Sequence, residues 1–280
     1  MKRMRLVFIS VVMFVLLNSC IPDPLPVDNI ARPAEKIVVA SQMVPGTGLV
    51  VFVTKSVGAL EAGRNSDPEV LLQQIAIADA VVTLHYSNET NTFQNRGDGL
   101  YTLDKSDFVP GLSYELEVET KTLGKVTAIT QVAERVAFGS VSTQLYKMGV
   151  DTVVQVDYSL NDPPGKNFYV ISVQRFSRTQ DADDLLNPRI FTRLTDDTKF
   201  NGTHFEEDFK TLFQRYSPGD SIAVVMANVN EDYFEFLKIR NDRLRFSDFS
   251  SEPFNYPTNV KGGYGFFNLH TQDARVFVLE

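Results

Sequence analysis

The chain has one cysteine, no tryptophan and only three histidines in 280 residues. One cysteine cannot form a disulfide within the chain, so its cores must be large enough to hold themselves together. Twenty-one phenylalanines and ten tyrosines make that feasible. The lack of tryptophan removes the ring on which many sugar sites stack, although tyrosine can replace it. His85, His204 and His270 lie far apart, and none belongs to a His-Glu-x-x-His pair that would set two imidazoles on one helix face. No Gly-x-Ser-x-Gly turn presents a nucleophilic serine. The apolar run Leu6 to Leu17 is shorter than the roughly 20 residues a spanning helix needs. Positive charge is scarce too. The net charge is −8, and it becomes −11 once Lys2, Arg3 and Arg5 are removed with residues 1–19, which hold no acid. Nucleic acid, recognised through clustered Lys and Arg, is a poor partner for such a body.

Acids are abundant but point to no chemistry. Asp181, Asp183 and Asp184, with Asp196 and Asp197 further on, offer hard oxygens, yet their spacing fits no calcium loop. A glycosidase pair is defined by its spatial separation, so the 35 acids name no candidate. The sequence therefore assigns no catalytic residue, no metal ligand and no cofactor.

What is present begins with the first twenty residues. Lys2, Arg3 and Arg5 precede the apolar run, which ends in small residues, as in a secretory signal. Leu17-Asn18-Ser19-Cys20 resembles the lipobox of bacterial lipoproteins, with Asn18 departing from the usual small residue. The resemblance implies a signal peptide over residues 1–19 and lipid attachment at Cys20. Two or three acyl chains anchor firmly where one does not. Ile21, rather than Asp, follows the cysteine and favours the outer membrane, with its periplasmic or cell-surface face left open. Residues 20–36 then read as a tether. Four prolines between Ile21 and Pro33 deny the chain a helix or ladder, and an extended segment at about 3 Å per residue lifts the body roughly 30–40 Å.

From Lys36 the apolar pattern has period two. Lys36 to Ser41 and Leu49 to Ser56 predict strands around the Pro45-Gly46-Thr47-Gly48 turn. Asp67 and Pro68 start a short helix. Val82, Leu84 and Tyr86, then Tyr114, Leu116 and Val118 against Glu115, Glu117 and Glu119, give half-buried antiparallel strands. Arg96-Gly97-Asp98-Gly99 reads as turn chemistry, although its first three residues spell an integrin-binding tripeptide. This order of strands and turns resembles immunoglobulin-like and prealbumin-like sandwiches, here over residues 37–137. The pattern loosens between Ala133 and Lys147, which places a boundary there. A second β-rich domain over 148–280 follows. Val154, Val156, Tyr158 and Leu160 share one face of its first strand. Ser221 to Val229 is apolar on both faces, which predicts a central strand. Asn230 caps a helix near 231–244, with Val229 and Phe234 placed as a hydrophobic staple and Tyr233, Phe236, Leu237 and Leu244 on its packing face.

The end of the chain carries the clearest resemblance. Pro218-Gly219-Asp220, the apolar strand, the helix with Tyr233-Phe234-Glu235-Phe236-Leu237, then Glu252-Pro253-Phe254, Asn259-Val260 and Gly262-Gly263-Tyr264-Gly265-Phe266-Phe267 occur in this order. Together they resemble the family of Gram-negative lipoproteins catalogued as domain of unknown function 4249. The resemblance implies genes beside TonB-dependent outer-membrane receptors and an accessory part in nutrient uptake, and it carries over no catalytic residues. On their own, the glycines read as a bulged strand, since no Lys-Ser or Lys-Thr follows to make a phosphate loop. The expected function is a non-enzymatic binding or accessory lipoprotein of the outer membrane, with a TonB-dependent receptor as partner. The alternative is an adhesion or structural surface lipoprotein, and a hydrolase would require a buried acid or histidine pair in a cleft.

Overall fold

Alternation of apolar and polar residues sets most of the strands, and Gly, Pro, Asn and Asp set the turns between them. The computed structural model describes residues 34–57, 68–176, 190–212, 214–246 and 256–280, with the backbone alone for 68–69 and 242–246. In chain order come β1 (Ile37–Val44), β2 (Gly48–Lys55), helix α1 (Pro68–Ile75), β3 (Val81–Tyr86), β4 (Glu89–Thr92), β5 (Gln94–Gly97), β6 (Leu100–Leu103), β7 (Ser113–Thr120) and β8 (Gly124–Gln131). There follow β9 (Phe138–Met148), β10 (Asp151–Asn161), β11 (Phe168–Arg175), β12 (Ile190–Asp196), a single 3-10 turn (Asp197–Lys199), β13 (His204–Lys210) and β14 (Ser221–Asn228). Helix α2 (Glu231–Phe246), β15 (Val260–Lys261), β16 (Tyr264–Phe266) and β17 (Gln272–Val278) complete the set. The protein is mostly β, and its strand pairs are antiparallel except β1 with β16.

The sheets pair into two sandwiches. In the first, the sheet β16-β1-β2-β6-β5 faces the sheet β15-β8-β7-β3-β4. Ile37, Val39, Val51, Val53 and Tyr101 meet Val82, Leu84, Leu116, Val118, Val126 and Ala128 in one core. Each large apolar side chain buried there contributes about 1.5–3 kcal/mol. Tyr114, Leu116 and Val118 point inward, and Glu117 turns out to meet Lys125 at 2.6 Å. In the second, the sheet β13-β10-β9 faces β12-β11-β14-β17. Val154, Val156, Tyr158 and Leu160 pack on Tyr169, Ile171, Val173, Ile222, Val224 and Met226. β14 lies between β11 and β17, and its other face explains why both of its sides are apolar. There Ala227 and Val229 join Phe168 beneath Phe234 of α2. The staple residues Val229 and Phe234 therefore share one cluster, with the Phe168 and Phe234 rings 5.0 Å apart.

The strands depart from the expected domain division in two places. Residues 138–148, read as a loosened boundary, form the long edge strand β9 paired along β10. Only its first residue, Phe138, is fully buried; Val141 and Leu145 pack partly on the core with polar Thr143 between them, too weak an apolar alternation to mark a strand. The second departure concerns the expected contiguous domain at 148–280. β15 and β16 pair with β8 and β1 of the first sandwich, and only β17 returns to the second. Glu35–Glu280 groups as one unit. The 37–137 stretch accordingly supplies most of the first sandwich but not all of it. The polar strands β4 and β5 were also invisible to an apolar periodicity, being exposed along most of their length.

Candidate functional site

The glycine-rich signature sits where the two sandwiches meet. After α2 the chain returns to the first sandwich and lays β15 on the edge of one sheet and β16 on the edge of the other. It thereby closes one side of that sandwich like a clip. Val260 pairs with Ala128, and Val39 pairs with Gly265. The approach to β1 is so close that a Cβ on Gly263 would lie 2.4 Å from the Ile37 carbonyl oxygen, and one on Gly265 only 1.8 Å from that of Val39. Gly265 also has φ +101°, a conformation side chains disfavour. Asn259 fastens the base of the clip. Its Oδ1 accepts the Phe267 N–H at 2.9 Å, and its Nδ2 donates to the Phe267 carbonyl at 2.7 Å. Phe267 is fully buried in the first core. The asparagine thus acts as an artificial strand partner, and the signature is structural rather than a phosphate cradle.

Beyond the clip runs a polar seam. Asn268 is buried, and its N–H donates to Ser41 Oγ at 2.8 Å. Its Oδ1 faces the Thr130 hydroxyl at 3.5 Å, so its Nδ2 is left to donate to His270 Nδ1 at 3.0 Å. That bond needs an imidazole without a proton on Nδ1, hence a neutral one. Desolvation agrees in sign, pushing the His270 pKa down to about 4. Gln272 Nε2 donates to the Met43 carbonyl at 3.0 Å. Asn228 spans the second sandwich and the linker. Its Oδ1 accepts the Phe168 N–H, and its Nδ2 donates to Asn167 Oδ1 at 2.9 Å and to the Glu134 carbonyl at 3.1 Å. Asn230 stands at the head of α2, where its carbonyl accepts the Phe234 N–H at 3.0 Å. Its side-chain amide reaches instead to the Gln131 carbonyl on β8.

Helix α2 covers this seam with rings. Tyr233 lies 5.6 Å from Phe266 and 6.4 Å from His270, stacked on the imidazole. Phe236 lies 4.9 Å from Phe266 and 6.1 Å from Tyr256. Phe234 and Leu237, in contrast, are buried, Phe234 against the second sandwich. One helix therefore grips both sandwiches through neighbouring faces. Tyr233, Phe236, Tyr256 and His270 remain half-buried, which leaves ring faces and a neutral imidazole near the surface. Such an assembly can stack and hydrogen-bond; it holds no nucleophile beside a base.

The other singled-out residues do not converge. His85 lies between the Thr83 and Thr90 hydroxyls, and His204 between Asn161 and Glu206, both at the surface of different sandwiches. Asp196 accepts the Thr198 N–H and starts the 3-10 turn. Asp197 accepts the Asn167 N–H at 2.8 Å. Asp162 takes the Gly202 N–H at 2.7 Å and the Tyr169 hydroxyl, whose pKa is raised by burial and by that carboxylate. Asp273 accepts the Phe138 N–H at 2.9 Å and faces Arg135 and Arg275. The buried acids are thus occupied by backbone and hydroxyl donors. Among the described residues no group of three or more His, Cys, Asp or Glu could hold a metal. Cys20, the signal and most of the tether, Asp67, Asp181, Asp183, Asp184 and Glu252-Pro253-Phe254 lie outside the described residues, as does the side chain of Leu244. Asn259 stands in the family signature without an assigned role, and Asn228 and Asn268 carry no mark in the sequence beyond being polar residues at the end of an apolar strand or at the foot of a glycine turn.

No helix among the described residues is long and apolar enough to cross a membrane. No curated protein matches the chain. The family model described as Domain of unknown function (DUF4249) matches residues 23–275, which takes in both sandwiches, the helix and the clip.

Proposed function

Because the chain belongs to the DUF4249 family over nearly its whole length, we propose that it works as that resemblance implies, as a lipid-anchored accessory protein of the outer membrane. Cys20 carries the lipid, and the acidic body binds or presents a nutrient, or a surface, to a TonB-dependent receptor without catalysing a reaction. The observation that carries this reading is the only cysteine of the chain standing at the end of the Leu17-Asn18-Ser19-Cys20 motif, ahead of a proline-rich stretch. The clip and α2 support it, since they join two sandwiches into one body suited to presenting a fixed surface.

Two experiments test the two halves. Cys20→Ala abolishes membrane association; a variant that still fractionates with the outer membrane refutes the anchor. A pull-down from native outer membranes, with the affinity tag at Glu280, recovers a TonB-dependent receptor in stoichiometric amount. Recovery of the protein alone, where a known receptor complex survives, sinks the uptake reading and favours the adhesion or structural one.

A further inference from the structure

Asn201-Gly202 is the one Asn-Gly pair in the chain. Such a pair is chemically labile, because glycine puts no side chain in the way when its nitrogen closes on the asparagine carboxamide. It lies between the 3-10 turn and β13, and both residues are exposed. Both reacting groups are nevertheless engaged. The Gly202 N–H donates to Asp162 Oδ2 at 2.7 Å, and Asn201 Oδ1 accepts the Gly165 N–H at 3.1 Å. Asp162 is itself held in place. It is buried, its other oxygen accepts the Tyr169 hydroxyl, and its N–H donates to the Thr203 carbonyl at 3.0 Å. The turn is thus pinned, on either side of Gly202, to the loop between β10 and β11.

We propose that Asn201 is a latent self-modification site, guarded by Asp162, which converts to aspartate or isoaspartate when this turn opens. The Gly202 nitrogen gives its proton to solvent and bonds to Asn201 Cγ. The Cγ–Nδ2 bond breaks, and Nδ2 takes a proton from water and leaves as ammonia. Water then adds to either carbonyl of the cyclic imide, returning a hydrogen to the Gly202 nitrogen and leaving a carboxylate. No oxidant or second substrate is needed. The first step requires the amide anion of Gly202. A carboxylate 2.7 Å away favours the N–H and repels that anion, so the charge of Asp162 opposes the reaction at its start. The Gly165 N–H holds the carboxamide against the neighbouring loop. Release therefore requires local opening, which exposed turns undergo at less cost than core strands. Isoaspartate adds a methylene to the main chain and displaces the Gly202 N–H from Asp162. An opening that has been marked in this way is not undone by reclosing. None of this rests on the anchor or on the uptake reading.

Peptide mapping by mass spectrometry follows Asn201 in the purified protein at mildly alkaline pH. The folded parent should keep its asparagine, and the same chain in urea should convert at least about tenfold faster. Asp162→Asn separates the guard from folding as such. Its carboxamide can still accept the Gly202 N–H and donate to the Tyr169 oxygen, but it carries no charge. Folded Asp162→Asn, with unchanged far-UV circular dichroism, should convert at least about tenfold faster than the folded parent. If it converts no faster, the proposal is overturned. A second measurement needs no variant. Base-catalysed hydrogen exchange of the Gly202 amide passes through the same anion, so in the folded parent it should be slow although the residue is exposed. Exchange as fast as in the urea-unfolded chain also overturns the proposal.

Discussion

Replacing Gly265 by alanine should unfasten the clip. The new Cβ would lie 1.8 Å from the Val39 carbonyl oxygen and within 3 Å of the Val39 carbon and nitrogen. All three atoms belong to β1, which is held along its other edge by eight paired residues of β2 and cannot retreat. β16 must therefore give way, and with it the pairs Val38 to Tyr264, Val39 to Gly265 and Ala40 to Phe266. Phe266 and Phe267 are both buried, and uncovering them forfeits about 1.5–3 kcal/mol each. The entropy regained by the released chain offsets part of this, so the low end of the sum is taken. A net loss of about 3 kcal/mol corresponds to a fall in Tm of about 6–12 °C for a body of this size. Gly46→Ala is the control: its φ is +81°, yet nothing lies within 4 Å of its added Cβ, so it carries only the conformational cost of about 1–2 kcal/mol. Thermal melting followed by far-UV circular dichroism compares the two. If Gly265→Ala melts within about 2 °C of Gly46→Ala, the close approach of β16 to β1 is not what the clip depends on.

Two further outcomes follow from buried polar groups. Asp273→Ala should destabilise by about 2–4 kcal/mol in urea denaturation, because it strands the Phe138 N–H and two arginines, whereas Arg275→Ala, whose side chain is half exposed, should cost about 1 kcal/mol or less. For His270, whose folded pKa is lowered from 6.5 to about 4, the unfolded chain takes up the proton first. Stability is therefore lost as pH falls from about 6.5 towards 4 and levels below that, and His270→Gln should flatten this part of the profile relative to the parent.

How much of this was legible depends on whether a residue's role is local. β14 announced itself because burial on both faces leaves no polar alternation, and α2 because its acids, its staple and its aromatic face follow one another within a few residues. Strand β9 stays hidden because only Val141 and Leu145 of its inner face are apolar beyond Phe138, and both are only partly buried, too sparse a period to signal a strand. The glycines of the clip predicted an irregular strand but not its destination: the partners of Gly263 and Gly265 are the backbone of Ile37 and Val39, more than two hundred residues earlier. Asn259, Asn268 and Asp273 share that opacity. Each satisfies donors or acceptors that only the folded chain brings near, and no spacing along the sequence encodes them.

The clip also fixes an order of events during synthesis. A nascent chain emerges from its amino end, so β1 and β8 exist long before Val260 to Phe267 arrive to cover their edges. Until then the first sandwich carries two open edge strands and lacks the phenylalanine that plugs its core, a state prone to pairing with other chains. The last part of the protein to be made is thus the part that finishes the first, and a premature stop after β14 would release a molecule in which neither sandwich is complete.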